Sequence, residues 1–250
     1  MFCFFMAQSI SALASEILYT AEVFTQSQSR EDRNKALSEA LEQVIGRFVI
    51  AGSDITLIAA LDNAASYVDQ YQYVQMSGDT SKKSSLKMRV IFNKDALSSL
   101  LGSSNLAMWG EKRDKTLVWL VVEEGRKQTF VDSDQDTGIE IALLDAAMAS
   151  GIPLLFPLMD LEEKLAISVT DIPATSPDKI LAVSERYAVA NILSGKLVKR
   201  RTCWRSEWTL TVNSKTEQWS EPCADLKANL MSTMQRVYKS LSVVYAVSGK

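Results

Sequence analysis

A chain of 250 residues can form one large or two modest domains and still bury a real core. Hydrophobic residues make up 47% and charged residues 23%, the balance of a globular protein. The net charge of −3 gives no electrostatic case for binding nucleic acid or anionic lipid, so no nucleic-acid partner is expected. Histidine is absent altogether, which removes the commonest general base, the commonest metal ligand and every Ser-His or Cys-His arrangement.

The first residues read as an export signal. Phe2, Phe4, Phe5, Met6, Ala7 and Ile10 form a short apolar run, followed by Ala12-Leu13-Ala14 as an A-x-A cleavage site. Residues 1–14 are therefore expected to leave, and the mature chain to begin near Ser15. No Lys or Arg precedes the run, and Cys3 has no lipobox around it. No later segment approaches the roughly 20 apolar residues of a transmembrane helix, so no transmembrane segment is expected after cleavage. The expected address is the periplasm.

Glu16–Thr25 alternates as a half-buried strand. Ser27 or Ser29 can cap the helix that follows, whose apolar face is Ala36, Leu37, Ala40, Leu41, Val44, Ile45 and Phe48. Gly52 ends it, and Ser53-Asp54 caps a second helix through Leu57, Leu61, Ala64 and Ala65. Strands are expected at Tyr67–Met76 and Leu86–Phe92 across a polar loop, Ser77–Ser85, and a helix at Lys94–Leu101. Residues 15–110 thus make a β-α-α-β-β-α unit, with its helices on one face of a small sheet.

Asn105–Lys115 reads as a link anchored by Trp109-Gly110, and residues 111–250 as a second α/β unit. Leu117–Val122 is a continuous apolar strand of the kind buried on both faces, with Gln128–Val131 available to pair with it. Helices follow at Ile139–Ala149, Asp160–Ala166 and Asp178–Tyr187, with a short strand at Ile152–Pro157. Ala190–Val198, Trp204–Val212 and Lys215–Ser220 read as three antiparallel strands, then Asp225–Val247 as an amphipathic helix. In the hairpin, Trp204, Trp208, Leu210 and Val212 share one face. Arg205, Glu207, Thr209 and Thr211 share the other, expected to be wet. The fold class expected is α/β with α+β character: two small sheets, helices packed on one face of each, and an antiparallel C-terminal hairpin.

Candidate chemistry is sparse, and no catalytic or cofactor-binding residue stands out. Asp132, Asp134 and Asp136 place hard oxygen ligands at alternate positions, as a calcium loop does. Gly138 comes one residue late, however, and Leu143 stands where a bidentate Glu belongs. A polar loop capping the helix from Ile139 explains the same residues. Ser84-Ser85-Leu86-Lys87 and Ser176-Pro177-Asp178-Lys179 match Ser-x-x-Lys without the supporting motifs of a serine acyl enzyme. Glu123-Glu124 and Glu162-Glu163 are adjacent, so their side chains diverge. The basic cluster Lys199-Arg200-Arg201 with Arg205 reads as a solvated turn.

Cys203 and Cys223 bracket the hairpin. A two-residue Asn213-Ser214 turn puts Cys203 opposite Ala224, one position off register. A bulge near Glu221-Pro222 would bring the pair together as a disulfide; otherwise they are two small buried side chains.

Several blocks resemble one family. They are Tyr19-Thr20-Ala21-Glu22-Val23, Tyr67–Tyr73, Met108-Trp109-Gly110, Pro153–Glu162 and Arg186–Leu197, ahead of Trp204 and Trp208-Thr209-Leu210. Together they resemble the exported Gram-negative proteins of domain-of-unknown-function family two-zero-six-six. Arg186–Leu197 is also similar, more distantly, to the helix-turn-strand of TolB N-terminal domains. There glycine, alanine and aspartate follow the tyrosine, where this chain has Ala188, Val189 and Ala190. The strand-helix start is similar to that of periplasmic flagellar assembly proteins. Family two-zero-six-six is uncharacterised and brings no catalytic residues to carry over; the function expected of the chain is that of a non-catalytic interaction or assembly factor of the envelope, without cofactor, whose partner is another envelope protein. The competing expectations are a periplasmic hydrolase using paired carboxylates and a calcium-stabilised module.

Overall fold

The structure, a computed structural model, describes residues 17–50, 59–75, 86–104, 106–132, 138–173 and 178–246. It is a mixed α+β protein with one sheet of three strands and one of six. Two compact units divide the chain: Met1–Glu111 with Ser242–Lys250, and Lys112–Leu241.

The first unit begins with β1, Thr20–Thr25, preceded by a helical turn at Ile17–Leu18 where a longer strand was expected. The turn is held by a buried cation. Arg47 Nη1 donates to the carbonyls of Ile17, Leu18 and Thr20 at 2.8, 3.1 and 2.6 Å. Helix α1, Arg30–Gly46, starts at Ser29, whose hydroxyl accepts the Asp32 N–H at 3.2 Å. Its buried stripe is Ala36, Leu37, Ala40, Leu41, Val44 and Ile45, and Phe48 lies just beyond its end.

The next helix differs from expectation. Its described part, Ala59–Tyr67, is 3-10 and kinked at Asn63, because a segment this short is held by its neighbours rather than by helical propensity. The expected cap Ser53-Asp54 and loop Ser77–Ser85 lie outside the described residues. Strand β2, Val68–Gln75, and β3, Leu86–Phe92, complete an antiparallel sheet of order β1-β3-β2. Met88, Val90 and Phe92 face α1, while Lys87, Arg89 and Ile91 point the other way. Helix α2, Lys94–Ser103, is capped by Asn93. Trp109 is buried and stacks on Tyr245 at 5.9 Å. The Trp109 N–H donates to Phe48 O at 2.7 Å, tying the link to this unit's core.

In the second unit β4, Thr116–Glu124, is buried on both faces from Thr116 to Val122. It pairs with β5, Lys127–Val131, in a hairpin through Gly125, whose φ of 65° suits glycine. Helix α3, Gly138–Ala149, leads through Gly151 to β6, Leu154–Leu155, parallel to the start of β4. Helices α4, Leu161–Ala166, and α5, Asp178–Ser184, then cross to β7, Asn191–Lys199, also parallel to β4. The last turn before β7 is 3-10, Glu185–Tyr187, ending at Ala188 with φ 49°.

Strand β8, Trp204–Val212, and β9, Lys215–Ala224, are antiparallel neighbours beyond β7, joined by Asn213 and Ser214, both at positive φ. Trp208 faces Trp219 across the hairpin. Gly195 lies opposite Trp208, and a Cβ there would land inside the indole. Helix α6, Leu226–Val244, covers this face with Leu230, Met234, Val237 and Leu241 buried. The opposite face carries Leu117, Trp119 and Val121 against Met159, Ile167, Ile172 and Ile180. That second layer corrects the expected wet face of β8: Arg205 and Glu207 are exposed, but Thr209 and Thr211 are buried.

Candidate functional site

The three expected ligand aspartates are not seen together. Asp132 is buried at the end of β5, while Asp134 and Asp136 lie outside the described residues. No group of three His, Cys, Asp or Glu that could hold a metal occurs among the described residues. Ser84, Ser85, Ser176 and Pro177 also lie outside them. Of the two Ser-x-x-Lys lysines, Lys87 pairs with Glu22, and Lys179 with Asp171 at 2.6 Å. Glu123 pairs with Lys196 at 2.7 Å and Glu124 with Lys199 at 3.1 Å.

Cys203 and Cys223 are joined in a disulfide with Cα atoms 5.4 Å apart. The β8–β9 ladder shifts by one residue between Ser206↔Glu221 and Trp204↔Ala224, putting the bulge at Pro222-Cys223.

Among the described residues a dense polar cluster surrounds α4, where the sequence marked Glu162-Glu163 only as diverging neighbours. Glu163 is 2% exposed, although its neighbour Glu162 is open to solvent. Both Glu163 oxygens are occupied: Oε2 accepts the Met159 N–H at 2.6 Å and Oε1 the Tyr187 O–H at 2.5 Å. The Tyr187 oxygen in turn accepts the Leu158 N–H at 2.8 Å. Asp160 caps α4 through the Glu163 N–H at 3.0 Å and takes Arg186 Nη1 at 2.8 Å. That guanidinium also lies 3.5 Å from Glu163. The cluster locks a loop in which Met159 has φ 51°, an unfavourable value for a side-chain-bearing residue.

Its electrostatics fit a brace better than a proton-transfer site. Burial, then the hydrogen bond to Glu163, pushes the Tyr187 phenol up to about 12. The Glu163 N–H and then Arg186 hold the Asp160 carboxyl below its usual range. Neither shift moves a group toward neutrality, where general acid–base work is done.

What the brace displays is apolar. A short helix with leucines four residues apart ordinarily turns them inward. In α4 they turn outward: Leu161 is 75% exposed and Leu165 80%, with Leu158 beside them at 54%. The buried position of that helix is taken by Glu163, fixed by Met159 and Tyr187. The signal in the sequence was weak, an Asp-x-x-Glu start whose Glu partner, Tyr187, is 24 residues away.

A family model described as a domain of unknown function, DUF8605, matches residues 12–110. It is a different family from the one the sequence blocks resemble, and its description assigns no activity. No curated protein matches the chain. No helix among the described residues is long and apolar enough to cross a membrane.

Proposed function

We propose that this chain is an exported protein of the Gram-negative envelope that works by holding a partner protein rather than by catalysis. The observation that carries the reading is the outward leucine ridge, Leu158, Leu161 and Leu165, held on a brace whose polar atoms are already spent. Large apolar side chains held out by a dedicated scaffold are what an interaction surface needs. The Cys203–Cys223 disulfide supports an oxidising compartment. The blocks resembling family two-zero-six-six and TolB N-terminal domains support the same address.

The test places a photo-crosslinking residue at Leu161 and, as control, at Phe24, which is exposed in the first unit. Leu161 is expected to give one discrete adduct in the envelope, lost in Leu158→Asp/Leu165→Asp while the melting temperature holds. A partner retained at wild-type affinity by that double variant ends the reading. Export is checked by the mass of the periplasmic form, expected to begin near Ser15; an intact N-terminus in the cytoplasm refutes it.

A further inference from the structure

The sequence places four cations at one turn; the fold adds two more from a distant one. Strands β4 and β7 run parallel in a register that sets Glu124 beside Lys199, so both stop at the same end of the sheet. Beyond Glu124 the chain turns through Gly125 and Arg126 to Lys127. Beyond Lys199 it turns through Arg200, Arg201 and Thr202 to Cys203, and β8 returns with Trp204 and Arg205. Arg126, Lys127, Arg200, Arg201 and Arg205 are all exposed, and none makes an ion pair among the described residues. Of the nearby acids, Glu123 is occupied by Lys196 and Glu124 by Lys199, which leaves exposed Glu207, two residues along β8 from Arg205, as a single carboxylate beside five cations. Glu123 is held below its usual carboxylate range by Lys196 first and Gln128 next, with Arg200 adding to it through space. That guanidinium therefore lies close to the β4 end.

The platform is built, not loose. The Arg200 N–H donates to Cys203 O at 2.8 Å, closing the turn, and Cys203 is tied across to Cys223. Half-buried Trp204 lies beside the cations, with the Lys199 ammonium 5.3 Å from its ring centroid. An indole at the rim of a cationic patch suits a water–bilayer boundary, where an amphipathic ring and long basic stems both find favourable surroundings. Two adjacent turns offer a small flat end rather than the long groove that tracks a nucleic-acid strand.

We propose that this end of the six-stranded sheet docks on an anionic phospholipid surface, with Arg126, Lys127, Arg200, Arg201 and Arg205 facing the phosphates. The net charge of −3 conceals it, because a sum over the whole chain says nothing of where five cations meet. Docking is peripheral and reversible. Each cation near such a surface is worth about a fivefold gain in partition. The proposal does not rest on the leucine ridge, and vesicles free of protein read it separately.

The test is co-sedimentation of the full chain with vesicles of phosphatidylglycerol and phosphatidylcholine, against phosphatidylcholine alone. Binding is expected only with the anionic lipid, and to vanish in high salt. Arg126→Glu/Arg200→Glu/Arg201→Glu should weaken it by at least about a hundredfold. Lys35→Glu/Lys112→Glu/Lys164→Glu, with the same change in net charge on exposed positions elsewhere, should leave most of it. Arg200→Gln/Arg201→Gln, a gentler change, should lose about tenfold or more and serves if the triple variant does not fold. Equal binding to neutral vesicles, an equal loss in the control, or no binding at low salt overturns the proposal. So does displacement by millimolar glycerol phosphate, which would mark a site for a free phosphate instead.

Discussion

Interior strands of the two sheets, β3 and β4, obey different rules. In β3 buried Met88, Val90 and Phe92 alternate with half-exposed Lys87, Arg89 and Ile91, because helices cover only one face. In β4 seven residues in succession, Thr116 to Val122, are buried, because the α4–α5 crossover packs on the face of Leu117, Trp119 and Val121 and the face of Val118 and Leu120 is covered as well. A one-layered sheet can admit charge on its free face and fail locally. A two-layered sheet has no free face, so any polar intrusion breaks both layers.

The comparison is most severely tested at Val118. Val118→Asp buries an unpaired charge and should cost more than about 4 kcal/mol, leaving the second unit unfolded by circular dichroism. A cooperative melt near the wild-type temperature would show that one of the covering layers yields. Next comes Gly195→Ala, whose new methyl must displace the Trp208 ring. A loss of about 3 kcal/mol in urea unfolding is expected, with partial rescue by Trp208→Leu. In the first unit Arg47→Leu strips the donors from three carbonyls and should cost about 2 kcal/mol, freeing Ile17–Thr20 to faster hydrogen exchange.

Tyr187→Phe should lose about 1 kcal/mol near neutral pH, leaving the Leu158 N–H without its acceptor and Glu163 Oε1 without its hydroxyl donor. It also changes the alkaline limb. A phenol raised to about 12 in the folded state contributes stability that is complete below about pH 10, its unfolded value. That contribution is lost as pH rises from 10 through 12. The wild type should therefore weaken more steeply than Tyr187→Phe in this window, read by urea midpoints at each pH. Tyr238, also raised to about 12, gives both proteins a shared slope. The smallest effect belongs to the open face: Phe24→Asp should change stability by less than about 0.5 kcal/mol. A loss of several kcal/mol would mean that this face is covered.

Local features were legible where local physics decides them. The α1 stripe, the Ser29 cap, the Trp208–Trp219 pairing and the continuous run of β4 all follow from periodicity or turn chemistry. The bulge was legible as one of two alternatives, near Glu221-Pro222 because proline cannot donate to the ladder, and it falls at Pro222-Cys223. The rest depended on partners distant in sequence. Arg47 is an ordinary arginine after a helix until three carbonyls 27 to 30 residues upstream converge on it. Glu163 and Glu162 look alike in sequence, and only Tyr187 and the Met159 backbone separate their fates. Arg126 joins Arg200 solely because two parallel strands share an end.

One edge strand of the larger sheet, β9, has a property that concerns crowds of molecules rather than one. A free strand edge is a template on which a second chain can crystallise its own backbone. Here Pro222 deletes a donor, the bulge beside it bends the rail out of line, and the Cys203–Cys223 bridge keeps that bend from relaxing. At the far end the Asn213-Ser214 turn closes the hairpin. A hairpin fastened at both ends can neither slide in register nor trade its strand with a neighbour. The bridge thus guards against edge-to-edge association as much as it guards the fold.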